Sequence, residues 1–279
     1  MLDDVLPSLR CPYCRAPLRR DGPTVRCPDA HAFDVARQGY LNLLPGGTRK
    51  DPGDTAAMVR ARAQFLARGH FAGLAERVAA VSAAAAADRD GCVVDAGAGT
   101  GYHLGRVLDA VPGRVGLALD VSKYAVRRAA RAHGRIGAVV ADVWRPLPVA
   151  DAVASVVLDV FAPRNAAEFR RILVPGGALV VVTPTSRHLA ELVPRLGLLT
   201  VDERKDERLA GTLGAHFTAA GSHPHEQALC LDRSDVLALA SMGPSAWHVP
   251  PEELAGRVAD LPEPTPVTVS VTVTVHRPA

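Results

Sequence analysis

The feature that most constrains the fold of this chain is the segment Gly91 to Gly101, which reads Gly-Cys-Val-Val-Asp-Ala-Gly-Ala-Gly-Thr-Gly. A short apolar run ends here in Asp95, and a stretch compatible with a helix follows the glycines. A buried strand that leads through a tight glycine turn into a helix is typical of a nucleotide-cofactor site. The glycines let the main chain approach a ligand closely. The predicted ligand-binding residues are Asp95, Gly97, Gly99, Thr100 and Gly101.

Two further apolar runs also end in an acid. Asp120 follows Gly116 to Leu119, and Asp142 follows Ala138 to Ala141. An acid at Asp120 is placed to accept hydrogen bonds from a ribose diol, and three such carboxylates repel a pyrophosphate but tolerate a sulfonium and an amino group. The glycine spacing also lacks the G-x-G-x-x-G form of dinucleotide sites. The region resembles the S-adenosylmethionine site of class I methyltransferases; a doubly wound domain with another ligand is the alternative.

From Cys92 onward, short apolar runs alternate with stretches suited to helices. This alternation predicts an α/β fold with a largely parallel sheet, as in class I methyltransferases, with ligands at the carboxyl ends of the strands. The predicted strands are 92–95, 115–119, 137–141, 153–158, 178–182 and the alternating Val and Thr or Ser of 267–275. The predicted helices are 102–110, 122–133 and 165–173.

Two pairs of potential metal ligands lie near the N-terminus. Cys11-Pro12-Tyr13-Cys14 supplies one pair, and Cys27-Pro28-Asp29-Ala30-His31 supplies the other. Three thiolates and one imidazole are an accepted ligand set for structural zinc, and a closed four-ligand site leaves no position for catalysis. We therefore predict a zinc ion bound by Cys11, Cys14, Cys27 and His31. A redox pair at Cys11 and Cys14 is the alternative, but nothing like a thioredoxin fold follows it.

The order of the motifs along the whole chain is more distinctive than any single motif. The two ligand pairs precede Phe-Asp-x-Ala-x-x-Gly-Tyr-x-Asn-Leu-Leu at 33–44 and Asp-Pro-Gly-Asp at 51–54, and 242–247 reads Met-Gly-Pro-Ser-Ala-Trp. This order resembles the bacterial 23S rRNA guanine-N1 methyltransferases over nearly the whole chain. The stretches 159–165 and 242–248 resemble most the branch found in macrolide producers, where the enzyme contributes to resistance to tylosin-type drugs.

The resemblance implies methylation of guanine N1 in the hairpin 35 loop of 23S rRNA by a homodimer, with neither DNA nor a membrane as partner. It also implies that Phe71 and His188 contact the cofactor, although Phe71 stands where other members have Tyr and so lacks a hydroxyl. From the residues alone, His188 is equally compatible with the surface. Asp159, at the end of the fourth strand, is the candidate catalytic base, which the sequence leaves open, and Arg164 is a candidate substrate contact.

The expected domains are a zinc-binding RNA-recognition module at 1–44, a linker with helices at 45–90, and the S-adenosylmethionine-dependent methyltransferase domain at 91–279. Asp54 or Thr55 is expected to cap a helix that ends near Arg68. The charged and then His-rich segment 200–226 is interpreted as a substrate-side or dimer-side insertion without a second metal.

Basic residues suggest two surfaces for RNA. Arginines make planar phosphate contacts, and only three of the 32 Lys and Arg residues are lysines, although a GC-biased genome explains this equally well. One surface is a helical face with Arg60, Arg62 and Arg68, and the alternative is a solvated face. The other is the zinc module, where the alternative is that the arginines only aid solubility; its arginines are Arg10, Arg15, Arg19, Arg20 and Arg26.

The net charge of +3 permits an acidic partner without demanding one. No signal peptide or membrane span is recognised, so a cytoplasmic location is expected. Two rival functions stay open: a small-molecule methyltransferase of antibiotic biosynthesis, against which the zinc module argues, and a non-catalytic zinc-ribbon RNA-binding protein, against which the intact glycines argue.

Overall fold

The computed structural model describes residues 1–46, 53–87, 89–199 and 213–279. The helices are α1 Leu2–Val5, α2 Ala56–Ala67, α3 Ala72–Ala86, α4 Tyr102–Ala110, α5 Lys123–Ala129, α6 Ala166–Ile172, α7 Val193–Leu196, α8 Arg233–Ser241 and α9 Pro251–Ala259. The strands are β1 Arg19–Asp21, β2 Thr24–Arg26, β3 Ala32–Asp34, β4 Leu41–Asn42, β5 Cys92–Ala96, β6 Gly116–Asp120, β7 Ile136–Val140, β8 Ala154–Val160, β9 Leu173–Pro184, β10 Phe217–Leu231 and β11 Thr265–Pro278.

The main sheet has eight strands in the order β10-β11-β9-β8-β5-β6-β7-β4. Strands β4 to β9 pair in parallel, whereas β11 is antiparallel to both β9 and β10. This arrangement confirms the predicted α/β class with a largely parallel sheet. All six predicted strands and all three predicted helices are present, with ends that shift by a few residues.

The strand order reverses at β5, which positions the candidate site. β5 pairs with β6 on one side and with β8 on the other. The chain builds outward from β5 through β6 to β7 and then returns to add β8, so a crevice opens beyond the carboxyl end of β5. In open α/β sheets ligands bind at this kind of reversal.

Both faces of the sheet are covered, which explains why its parallel strands are almost continuously apolar. One face packs against α2 to α5, α8 and α9, with Phe65 and Leu104 among the fully buried side chains. The opposite face packs against α1, α6 and the N-terminal residues, with Leu9 and Phe169 fully buried.

The first 46 residues, here called the N-terminal unit, join the sheet directly. Strands β1 to β3 form a small antiparallel sheet of their own. Leu41 and Asn42 of β4 then pair in parallel with Val139 and Val140 of β7. In α1, Val5 packs so closely on Gly137 that an added β-carbon there would overlap a methyl group of the valine. The division at residue 44 therefore does not coincide with a break in packing, and its functional meaning stays a prediction.

The segment 200–226 differs from its sequence interpretation where it is described. Residues 200–212 lie outside the described residues, but 217–231 form the long edge strand β10, paired with β11 from Phe217 to Leu231. Along β10, exposed and half-buried residues alternate, as expected for a strand with one solvated face. Among the described residues, no helix has the length and apolar character needed to cross a bilayer.

Candidate cofactor cleft and metal centre

The glycine turn after β5 is held open by main-chain hydrogen bonds and by one carboxylate. The N–H groups of Gly97 and Ala98 both donate to the carbonyl oxygen of Leu119, at 2.8 and 2.9 Å. Asp120 accepts from the Gly99 N–H through Oδ2 and from the Ser122 N–H through Oδ1, both at 2.8 Å. Asp120 thus shapes the turn, a role that its position at a strand end did not reveal.

Asp95 lies at the bottom of the crevice with an unmatched carboxyl group. It is buried, and its Oδ1 has no hydrogen-bond partner among the described residues. Burial raises the pKa of the Asp95 carboxyl to about 8, and the charge of Asp120 adds to the rise. Burial likewise raises the pKa of Asp120, although the two N–H donors oppose that effect. An acid that is costly to ionise in the empty protein is suited to a cationic ligand.

Asp159, on the neighbouring strand β8, is fully buried beside Arg164. The Nε of Arg164 lies 3.4 Å from Oδ1, without the geometry of a hydrogen bond. Burial raises the pKa of Asp159 well above its usual range, with Asp95 adding to the rise and Arg164 opposing it. The Arg164 side chain is only 8% exposed and lies against Asp159, and its contact with a substrate stays a prediction. The role of Asp159 as a base stays a prediction.

The start of α2 covers the glycine turn. Thr55 caps this helix, as predicted, by accepting the Met58 N–H. The Ser122 hydroxyl donates to the carbonyl oxygen of Asp54 at 2.6 Å. Arg62 forms an ion pair with Asp54 and donates to the carbonyl oxygen of Met242 at 2.7 Å.

The predicted basic face of α2 is wrong for one of its three arginines, Arg62. Arg62 lies inside the cleft, where its guanidinium covers Gly99. Arg68 pairs with Asp232 and Asp235 at the start of α8. Arg60 and Arg68 are both exposed, and Arg60 lines a groove between α2, α4 and α5.

One polar side chain in the cleft was missed by sequence reasoning. His103 lies in the first turn of α4, and its Nδ1 is buried without a partner among the described residues. Burial lowers the pKa of His103 to about 4, and the nearby Arg62 contributes to the shift. The ring is therefore neutral at physiological pH. A lone histidine directly after a glycine turn carries no periodic or spacing signal, which explains the omission.

An aromatic pair stands at the outer end of β8 and β9. The rings of Phe161 and His188 lie 5.8 Å apart between centroids. Phe161 has a φ of 55° and is 44% exposed, an unusual combination for a large apolar residue. The Ser270 N–H donates to Nδ1 of His188, and burial lowers the pKa of His188 to about 4, so this ring is also neutral.

The contacts of two other predicted cofactor residues, Asp142 and Phe71, are with the protein itself. Asp142 is buried just beyond β7 and accepts the Trp144 N–H at 3.1 Å. Phe71 is buried at the start of α3 and packs edge-on against Phe65 at 5.1 Å. Neither contact tests a role in cofactor binding, so both assignments stay predictions.

The buried polar groups of the cleft are suited to S-adenosylmethionine. Unpartnered buried polar atoms are uncommon and call for an explanation, and the Asp95 and His103 side chains supply two of them. A ligand with a cationic sulfonium, an ammonium and a ribose diol offers a positive charge to the acids and hydroxyls to Asp120.

Replacing Asp95 with asparagine is expected to make the empty protein more stable at pH 9 than the wild type. The unfolded Asp95 loses its proton near pH 4 and the folded one near pH 8. Between these pH values the folded state therefore holds one more proton than the unfolded state. The contribution of Asp95 to the free energy of unfolding falls as pH rises from 4 to 8, and the destabilisation from its buried charge is constant above pH 8. Each pKa unit corresponds to about 1.4 kcal/mol. Denaturant unfolding of both proteins at pH 5, 7 and 9 measures the difference.

Asp260→Asn, at an exposed carboxylate, serves as the matched control and should show little pH-dependent gain. A stability difference between Asp95→Asn and wild type that stays the same from pH 5 to pH 9 would show that Asp95 titrates normally in the folded protein.

The metal centre brings together the four predicted ligands. The ligand atoms of Cys11, Cys14, Cys27 and His31 all lie within 4.8 Å of one another. The Cys14 and Cys27 sulfurs are 3.5 Å apart, and the His31 Nδ1 is 3.3 Å from the Cys27 sulfur. Tetrahedral zinc, with bonds of about 2.0–2.3 Å, requires ligand atoms at such separations. The predicted structural zinc site is therefore consistent with the geometry, and His31 turns its Nδ1 toward the sulfurs of Cys11 and Cys27.

The zinc site is joined to the loop between β7 and β8 by an arginine. Arg15, which has a φ of 65° in the Cys11–Cys14 turn, donates to the carbonyl oxygens of Leu147 and Val149 at 2.6 and 3.1 Å. Arg10 likewise donates to local carbonyl oxygens, including that of Pro7 at 3.0 Å. These two arginines of the predicted RNA surface are therefore engaged in internal contacts, which is a correction to that prediction.

Three comparisons bear on family. A family model for the zinc ribbon described as RlmA, N-terminal, matches residues 9–50. Over 279 residues the chain is 54% identical to the 23S rRNA (guanine(748)-N(1))-methyltransferase of Streptomyces fradiae, covering 100% of this chain and 99% of the relative. It is also 54% identical to a provisional 23S rRNA (guanine-N(1)-)-methyltransferase of Micromonospora griseorubida, with both chains covered in full.

One solved structure of similar fold is a methyltransferase from Geobacter sulfurreducens bound to S-adenosyl-L-homocysteine. It shares 17% identity and a TM-score of 0.44, covering 73% of this chain and 91% of the other. That likeness is weak, so the family assignment rests on the sequence matches.

Proposed function

The chain belongs to the 23S rRNA (guanine-N1)-methyltransferase family, and from that premise we propose that it transfers a methyl group from S-adenosylmethionine to N1 of a guanine in the hairpin 35 loop of 23S rRNA. The observation that carries the proposal is the intact cleft. Asp95, Asp120 and the glycine turn occupy the carboxyl edge of the sheet in a chain that matches such enzymes over its full length.

S-adenosylmethionine supplies an electrophilic methyl group, so the chain's own task is to align the nucleophile and exclude water. Guanine N1 carries a proton that must leave around the time of transfer. Asp159 is our candidate to accept it, because burial strengthens its ionised form as a base. Asp159 has no exposed surface, and access to it requires a shift of the loop that holds Arg164.

The acceptor base is proposed to stack at the aromatic pair. A guanine in a hairpin loop is readily splayed out, and unpaired bases are commonly held on aromatic side chains. The exposed ring of Phe161 and the neutral ring of His188 offer such a surface beside the strand ends. This assignment gives His188 a substrate-side contact in addition to the cofactor contact that the family resemblance implies.

The zinc-bearing N-terminal unit is proposed to position RNA without taking part in the chemistry. Its four-ligand site is closed, so the metal has no position for a reactive water. Arg19, Arg20 and Arg26 are exposed on β1 and β2, whereas Arg10 and Arg15 serve internal contacts. The proposal includes a cytoplasmic homodimer and a contribution to resistance to tylosin-type macrolides, which the resemblance to the producer branch supports.

The proposed function predicts labelled methyl transfer to a hairpin 35 fragment of 23S rRNA. The product nucleoside is expected to be 1-methylguanosine, identified by mass spectrometry, because the full-length relatives are guanine-N1 methyltransferases. The same fragment with adenine at the target position is the control and should accept no label. In cells, the modified nucleotide should appear in rRNA only when the gene is present.

Two outcomes distinguish the rival functions. Label transferred to small macrolide precursors and not to rRNA would favour a biosynthetic methyltransferase. Tight RNA binding without calorimetric binding of S-adenosylmethionine would favour a non-catalytic RNA-binding protein.

A further inference from the structure

A groove beside the cofactor turn is lined by arginines from three helices. It lies between α2, α4 and α5 and has a volume of about 860 Å³. Thr100 and Gly101 of the glycine turn are among its lining residues. The arginine groove, as we call it, carries Arg60, Arg106, Arg127, Arg128 and Arg131, whose side chains are all exposed.

The charge of this groove is poorly compensated. Among its described lining residues the acid is Asp109, whose carboxylate lies 3.3 Å from His133. Within the described part of the chain, Arg60, Arg127, Arg128 and Arg131 form no ion pair with an acid, whereas Arg62, Arg68, Arg171, Arg233 and Arg257 each do. Gathering unpaired like charges in a concave surface is unfavourable without a bound anion.

Aromatic rings accompany the arginines. Tyr124 is 42% exposed in the lining, and the ammonium group of Lys123 lies 5.2 Å from its ring centroid. Tyr102 lies next to the turn, with the Arg106 guanidinium 6.0 Å from its ring. Guanidinium groups that bind phosphates, interleaved with rings that stack on bases, are the combination used to hold single-stranded nucleic acid.

The size and position of the groove indicate which kind of anion it would bind. Its volume exceeds what a single inorganic phosphate would fill, and its open shape suits a chain that passes through it. Its lining includes Thr100 and Gly101, which belong to the turn that follows the carboxyl end of β5, so the groove adjoins the cofactor cleft. An extended polyanion fits the size of the groove. If one of its monomers enters the adjoining cofactor cleft, the polyanion also fits the position of the groove.

We propose that the arginine groove binds the sugar–phosphate backbone of the rRNA strand next to the methylated guanine. The inference rests on the proposed function, because it assigns the flanking nucleotides of that same substrate. Phosphate contacts of this kind fix the register of the RNA and carry no sequence information themselves. They would hold one loop nucleotide at the cleft while the zinc-bearing N-terminal unit contacts a different part of the RNA.

The test is the triple variant Arg127→Ala, Arg128→Ala, Arg131→Ala. Alanine is favourable in and next to a helix, and these side chains are exposed, so the fold should persist. Binding of the hairpin 35 fragment is expected to weaken at least tenfold at 0.15 M salt. The slope of log affinity against log salt should become shallower by about 2, since each lost phosphate contact contributes about 0.7–0.9.

The matched control is Arg77→Ala, Arg170→Ala, Arg195→Ala. It removes the same net charge from exposed arginines on α3, α6 and α7, outside the groove. It should retain RNA affinity within threefold and keep the wild-type salt slope. Both variants should bind S-adenosylmethionine as the wild type does, which confirms that the cleft is intact.

Equal losses of RNA affinity in the groove variant and the control would overturn the inference, because net charge alone would then explain the effect. So would wild-type affinity in the groove variant. Methyl transfer by the wild-type chain is scored separately: failure to label the fragment overturns the proposed function, while the binding comparison still decides whether the groove holds RNA.

Discussion

Removal of zinc by chelation, or replacement of Cys14 with serine, is expected to unfold the N-terminal unit. Only three short strands and a few buried side chains hold the zinc ribbon together. Units this small rarely fold without a metal, and structural zinc contributes an apparent binding free energy of about 10–16 kcal/mol. The zinc content found by metal analysis should fall from one ion per chain to a small fraction. Amide hydrogen exchange should become faster across residues 9–46.

The loss of structure should extend beyond the zinc ribbon. Arg15 would no longer hold the carbonyl groups of Leu147 and Val149, and β4 would lose its support beside β7. Cys230→Ser is the matched control, since Cys230 is an exposed thiol outside the ligand cluster. It should retain zinc and exchange protection. Unchanged zinc content in Cys14→Ser would refute the four-ligand assignment.

Replacing Gly97 with alanine is expected to reduce the rate of methyl transfer about a hundredfold or more. Gly97 has a φ of 81°, and an added β-carbon would lie 2.5 Å from that of Ala162. Ordinary contact requires about 1 Å more, so either the cofactor turn or the loop that carries Phe161 and Arg164 must move. A displacement of about 1 Å at a reacting centre can cost a factor of about 100 in rate. Single-turnover kinetics with saturating cofactor and RNA measures it.

Gly113→Ala separates this overlap from the cost of the backbone conformation. Gly113 has a φ of 80°, nearly that of Gly97, but no atom lies within 4 Å of the added β-carbon. Both variants should therefore lose about 1–2 kcal/mol of stability from the left-handed backbone. Only Gly97→Ala should lose rate. Wild-type turnover in Gly97→Ala would mean that the turn and the Ala162 loop adapt freely.

The sheet and the zinc site could be predicted from the sequence because their signals are local. Central parallel strands are buried on both faces, so they read as apolar runs, and each knuckle places two ligands within five residues. The acids Asp95 and Asp120 end such runs, so their meeting at one edge follows from topology.

The directions of the arginines could not be predicted in the same way. Arg15, Arg62 and Arg164 read as exposed charges, but each faces a carbonyl or carboxylate distant in sequence or hidden by a turn. A long flexible side chain carries no periodic signal for its partner. β10 was missed for a related reason: its apolar support comes from β11, and its own residues include Gly, Pro and His.

The pairing of β4 with β7 gives the zinc ion a second significance. Leu41 and Asn42 cover the main-chain groups of Val139 and Val140, which would otherwise form an open strand edge. Uncovered edges of this apolar kind recruit strands from other molecules and start aggregation. A chain made in metal-starved cells would therefore tend to self-associate as well as lose its N-terminal fold, so zinc supply would govern how much soluble protein accumulates.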